Sequence, residues 1–215
     1  MDMSKKLLSA EHPDTLTSMG NLASIYWNQG RWNEAEKLEV QVMDIRKKLL
    51  GAENPDTLTS MGNLANTYRN QGRWNEAEQL QVQVMDMSKK LLGLEHPHTL
   101  TYMANLAKTY SDQGRWNEAE QLEVQVMDMR KKLLGAEHSY TLTSMADLAG
   151  ICYNHLYNPL ASMGNLASTY RKQGRWNEAE QLQVQVMDMS KKLLGAEHPD
   201  TLTSMGNLAS TYMNQ

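Results

Sequence analysis

Cysteine occurs once in 215 residues, at Cys152, and phenylalanine does not occur at all. A single thiol cannot build an internal disulfide framework, so a small cross-linked secreted scaffold is excluded and a reducing, cytoplasmic compartment is expected. Long apolar runs are missing too. No stretch approaches the roughly 18 residues of a membrane span, and no apolar segment of the secretory-leader kind follows Met1-Asp2-Met3-Ser4-Lys5-Lys6. Positive charge is not in excess: 21 Lys and Arg stand against 25 Asp and Glu, a formal net charge of −4, and the signs alternate along the chain. Nucleic acid, whose phosphates require a concentrated cationic face, is therefore not an expected partner. Catalytic signatures are absent as well, whether a phosphate-cradling Gly-rich loop, Gly-x-Ser-x-Gly or His-Glu-x-x-His. His96-Pro97-His98 and Cys152-Tyr153-Asn154-His155 have ligand-like spacing, but neither has the second half a zinc site needs. No enzymatic activity, cofactor or metal is expected.

What the chain does have is repetition. Gly72-Arg73-Trp74-Asn75-Glu76-Ala77-Glu78 recurs at 30–36, 114–120 and 174–180, and Trp32, Trp74 and Trp116 are spaced by 42 residues. A fixed period of this length marks a solenoid whose units bury their apolar faces against their neighbours. Leu16, Met19, Leu22, Ala23 and Tyr26 form one apolar helical stripe, helix A of the unit, and Ala35, Leu38, Val42, Ile45 and Leu49 form another, helix B. Asp14 or Thr15 can cap the start of helix A, and Gly30 and Gly51 end the two helices. The starts at His98 and Tyr140, which replace that aspartate, are expected to be weaker. Methionines such as Met61 and Met103 fall on or beside the stripes and read as core filler.

The resulting fold class is all-α, an α-solenoid forming a single domain over 1–215. Residues 1–10 read as the end of a B helix, 11–52, 53–94 and 95–136 as regular repeats, and 137–159 as a degenerate repeat without helix B. Residues 160–196 form a further repeat and 197–215 an incomplete terminal one. Trp116 to Trp176 is 60 residues, neither one period nor two, so a whole B helix is missing there. Pro159 disfavours helical geometry at Asn158, which predicts an irregular joint near 150–162 rather than one long rod. Damage tolerated by a repeat array and adaptation to a purpose both explain that loss.

Leu22, Ala23, Tyr26, Gly30, Trp32 and Ala35, with equivalents at Leu64, Ala65, Tyr68, Gly72, Trp74 and Ala77, resemble the tetratricopeptide repeat over nearly the whole chain. The 42-residue period and the Leu-Gly-Ala-Glu-His-Pro-Asp-Thr junction at 194–201 are similar to the long-helix form found in kinesin light chains. Similar arrays form the sensing ends of STAND-type signalling NTPases. The resemblance implies a superhelix of antiparallel helix pairs in which Ala23 and Ala35 allow close approach, Tyr26 and Trp32 fill the space between helices, and A helices line a concave surface. It also implies a non-catalytic scaffold or adaptor that binds an extended peptide segment of another protein. The chain departs from the family's pattern in helix B, where Glu39, Gln81, Glu123 and Gln183 stand in place of an aromatic. No heptad-bearing segment precedes the array, which argues against attachment to a motor.

On that concave face Asn21, Asn63, Asn105, Asn165 and Asn207 hold one place, with Asp147 the exception. An amide donates and accepts, so a row of them can satisfy the backbone of a guest strand whatever its sequence. Recent duplication of the repeats accounts for the same invariance. Positions that differ between repeats are the candidates for specificity: Arg69, Lys108 and Arg171 would favour an acidic segment, and Trp27 is either an anchor for a partner or the flank of a truncated end. Both ends stop in mid-unit, so head-to-tail self-association through uncapped helices is the alternative expectation.

Overall fold

The computed structural model describes residues 11–214. The expected B-helix end at 1–10 lies outside them. Nine helices and no strands occur among the described residues: α1 (Pro13–Asn28), α2 (Trp32–Leu50), α3 (Pro55–Asn70), α4 (Trp74–Leu92), α5 (Pro97–Asp112), α6 (Trp116–Leu134), α7 (Ser139–Lys172), α8 (Trp176–Leu194) and α9 (Pro199–Tyr212). The all-α solenoid architecture is thus present, with A-type helices α1, α3, α5 and α9 and B-type helices α2, α4, α6 and α8. The chain divides into two compact units, Met1–Ile151 and Cys152–Gln215.

The A helices begin earlier than expected, and a different residue caps them. Each starts at a proline, whose missing amide costs nothing in the first turn. The residue before it supplies the cap: Nδ1 of His12, His96 and His198 accepts the backbone N–H of Asp14, His98 and Asp200 at 3.2 Å, and Asn54 Oδ1 accepts that of Asp56 at 2.9 Å. The aspartates are therefore helix residues rather than caps. The weakness expected at His98 and Tyr140 does not arise from a lost cap either, since His138 Nδ1 accepts from Tyr140 N at 3.2 Å. Gly30, with φ of 72°, turns the chain from α1 into α2 in the left-handed conformation expected of it.

In the first unit each helix from α1 to α5 packs on the next in sequence, and α3 also touches α5. Alanines mark the closest approaches: Ala65, Ala77, Ala107 and Ala119 are fully buried. Leu58, Met61, Val84 and Tyr102 form one core cluster and Leu100, Met103, Ala104 and Val126 the next, with Met43, Met85 and Met129 filling their margins. Close packing of this kind is what holds neighbouring repeats in register. Trp32 and Trp74, the first residues of α2 and α4, are 37% and 41% exposed, so they close the space between helices only in part.

Between α6 and α8 the structure corrects the expected joint. A single helix, α7, runs for 34 residues with Pro159 inside it, so the two A-type segments are continuous. Pro159 contributes no amide to the helical ladder, a loss of about 3 kcal/mol in a helix interior. Compensating contacts lie to either side: Tyr153 and Tyr157 stack at 4.3 Å between ring centroids, the Tyr157 hydroxyl donates to Asp200, and Leu160 and Ala167 are buried. The division between the two units falls within this helix, at Ile151 and Cys152. In the second unit α8 packs on α9.

Candidate functional site

Within each unit the A-type helices carry polar residues that solvent reaches. Asn21 on α1 and Asn63 on α3 are exposed and Asn105 on α5 is half-buried, while in the second unit Asn165 on α7 and Asn207 on α9 are exposed. In the first unit a cavity of about 270 Å³ is lined by Ser24, Trp27 and Asn28 of α1, Glu39 of α2, and Asn63 and Asn66 of α3. In the second unit a cavity of about 300 Å³ is lined by Asn165, Ser168 and Arg171 of α7, Gln183 of α8 and Asn207 of α9, among others. Each cavity therefore has the same plan, with two A-type walls and a B-helix floor. The expected residues Asn63 and Trp27 meet in one and Asn165, Arg171 and Asn207 in the other; Asn21, Asn105 and Lys108 line neither.

The floor position is where the chain departs from the family's aromatic. Gln81 and Gln183 are buried and bonded: Oε1 accepts from the hydroxyl of Thr109 at 2.7 Å and of Thr211 at 2.6 Å. The glutamates are buried and less fully bonded. Glu123 is 0% exposed and neither carboxylate oxygen has a hydrogen-bond partner, because Ile151 stands where Thr109 stands one repeat earlier. Burial pushes its carboxyl up to about 7; Asp147 adds to the rise, while Ser144, Arg130 and Lys108 oppose it. Glu39 is likewise raised by burial, with Glu36 adding to the effect and the Thr67 hydroxyl opposing it, and its Oε2 has no hydrogen-bond partner. A carboxylate on an otherwise apolar helix stripe, between Leu38 and Val42, was the sequence signal for these floors.

The rim cations are engaged by the chain itself. Arg69 lies 3.6 Å from Asp112, Lys108 Nζ 2.9 Å from Asp147, and Arg171 donates to Ser210 Oγ at 3.1 Å. Asp147, the exception in the asparagine row, thus pairs with Lys108, which replaces the small polar residue of other repeats. The two departures compensate each other across neighbouring A-type helices. Burial raises the Asp112 carboxyl, with Arg69 pulling the other way.

A third set went unrecognised in the sequence. The arginine of each Gly-Arg-Trp stacks on the helix A tyrosine five residues back, with Arg73 4.0 Å above Tyr68 and Arg115 4.1 Å above Tyr110. Arg73 also donates to Glu76 through Nε at 2.7 Å and to Glu36 of the preceding repeat through Nη1 at 2.7 Å, and Arg115 repeats both contacts on Glu118 and Glu78. Burial pulls the Glu36 carboxyl upward, yet hydrogen bonds from Gln71 and Arg73 hold it below its ordinary value. His96 serves as a helix cap, and its ring stacks on that of His98 at 5.4 Å. Among the described residues no cluster of three or more His, Cys, Asp or Glu could hold a metal ion, and no helix is long and apolar enough to cross a membrane.

A family model for the tetratricopeptide repeat matches residues 1–48, 14–90 and 56–132, and a second tetratricopeptide repeat model matches 160–200. No curated protein sequence matches the chain. Among solved structures, a candidate kinesin light chain from Podosopora anserina with nearly identical TPR-like repeats is 35% identical. That match covers 94% of this chain and 88% of that one with a TM-score of 0.57. Two more distant structures share the fold: BtubC (BKLC) from P. vanneervenii, 16% identical over 93% of this chain and 72% of its own with a TM-score of 0.54, and the apo form of RapI, 12% identical over 98% and 86% with a TM-score of 0.58. The architecture is that of protein–protein interaction scaffolds. With its 42-residue helix pairs, its A-helix cavities and these matches together, the chain belongs to the tetratricopeptide repeat family, in its kinesin-light-chain-like form.

Proposed function

We propose that the chain is a non-catalytic scaffold whose A-helix face is a concave groove holding an extended segment of a partner protein. The observation that carries this reading is the repeated cavity plan, in which side chains of the asparagine row stand on the walls in both units. Asn63 and Asn105 reach a guest's backbone groups as donors and acceptors, which gives affinity without a sequence requirement. Side chains that differ between repeats then select the guest. An acidic guest would have to compete with Asp112 for Arg69 and with Asp147 for Lys108, so amide recognition comes first and charge second.

The test is to select short extended peptides against the purified chain and measure their affinities by fluorescence anisotropy. Replacing Asn63→Ala together with Asn105→Ala should weaken the selected peptides as a group, by about tenfold if each asparagine contributes one ordinary hydrogen bond. Unchanged affinity for every selected peptide means that the guest lies elsewhere.

A further inference from the structure

Two positions of the repeat vary together. The rim position near the end of helix A holds Trp27, Arg69, Ser111 and Arg171, and the floor position on helix B of the same repeats holds Glu39, Gln81, Glu123 and Gln183. Where the rim is arginine the floor is glutamine, and where the rim is uncharged the floor is glutamate. At this rim position the chain thus sets no arginine beside a floor glutamate of the same repeat.

The two glutamates differ in what surrounds them. Lys108 and Arg130 act favourably on Glu123, so the chain supplies some counter-charge there. For Glu39 the acting charge is Glu36, of the same sign. Glu39 is 6% exposed, its Oε2 is buried without a hydrogen-bond partner, and it lines the first unit's cavity together with Trp27, Asn63 and Asn66. Among the described residues no lysine or arginine lines that cavity. The Thr67 hydroxyl acts favourably on this carboxylate but leaves Oε2 unpartnered, and a group bringing both N–H donors and positive charge relieves that oxygen. The indole face of Trp27 adds a surface that attracts cations, and the amide oxygens of Asn63 and Asn66 add acceptors.

From this arrangement we infer that the cavity receives one cationic side chain of a guest polypeptide, with Glu39 as its counter-ion, Trp27 as its aromatic wall and Asn63 and Asn66 as its acceptors. The inference rests on the groove reading and gives one guest position a charge opposite to that drawn from the rim cations. A volume of about 270 Å³ accommodates a single lysine or arginine side chain.

The test is a titration of the isotope-labelled chain with N-acetyl-arginine N-methylamide and its lysine analogue, against the neutral norleucine analogue, followed by NMR. The Trp27 indole and the Asn63 and Asn66 side-chain amide signals should shift saturably with the two cationic probes and not with norleucine. Glu39→Gln should weaken the response by about tenfold or more, the loss expected for one charge-assisted hydrogen bond. That variant keeps its fold, since Gln81 and Gln183 already occupy the same position in other repeats. No saturable shift with arginine, an equal response to norleucine, or an unchanged response in Glu39→Gln overturns the inference. The probes are single residues, so their outcome is separable from the peptide test. Peptides that bind without preferring a cation sink this inference alone, whereas a cation response with no peptide binding sinks the groove alone.

Discussion

Glu123 is buried by its position and has no partner because of one substitution, Ile151 in place of the threonine that bonds Gln81 from Thr109. Its carboxyl, at about 7 in the folded chain against 4.5 for a free side chain, keeps its proton to higher pH than in the unfolded state. The contribution to stability is therefore complete below about pH 4.5 and is lost as pH rises through about 7. Glu123→Gln removes this dependence. Urea unfolding should show the variant more stable than the parent at pH 8, by on the order of 2 kcal/mol once solvent relaxation around the site is allowed for. The advantage should disappear toward pH 4.5. At this scale the sequence was only partly legible. It marked Glu39 and Glu123 as departures, but not that Thr67 answers the first and Ile151 stands at the matching place for the second, because that place lies 28 residues away on the next A-type helix. The helix caps were misplaced for a simpler reason: aspartate is a familiar cap, whereas an imidazole nitrogen does the same work only when its unprotonated face meets the amide, a geometric fact.

At the scale of the element, helix ends were the most legible feature and helix contacts the least. The B helices begin at the tryptophan and end before the glycine as expected, because Gly-Arg-Trp and Leu-Leu-Gly bracket them in every repeat. Pro159 misled, since a proline's local preference for a break was outweighed by stacked tyrosines and buried apolar residues around it. The arginine clip could not be foreseen from spacing, although it joins three elements: the end of one A helix, the start of its B helix and the preceding B helix. Arg73 makes all three contacts, on Tyr68, Glu76 and Glu36. Among the described residues Arg31 stacks on Tyr26 and bonds Glu34 and Gln29, with no contact to another repeat. Arg73→Ala should therefore destabilise the first unit by about 1–2 kcal/mol, the sum of a cation–π contact and partly exposed ion pairs. Arg31→Ala should cost less. Thermal unfolding of the two variants side by side decides this, and equal losses would show that the inter-repeat bond to Glu36 contributes nothing.

For the molecule as a whole, periodicity carried most of the information. A 42-residue repeat with two stripes dictates paired helices, and pairs that cannot bury their faces alone dictate an array. The exposed asparagine row was legible because only one face of helix A is polar. The pairing of the rim cations was not, since Arg69 and Asp112 come together only once neighbouring A helices are in register. The central claim is that this A-helix face holds a guest chain. Its most direct measurement is cross-saturation NMR, in which a selected peptide is irradiated and signal loss is read along the labelled protein. Loss at the side-chain amides of Asn63 and Asn105, with the exposed Gln83 and Gln125 of α4 and α6 unaffected, is the expected result. Loss at those glutamines with the asparagines untouched would place the guest on the opposite helices and contradict it.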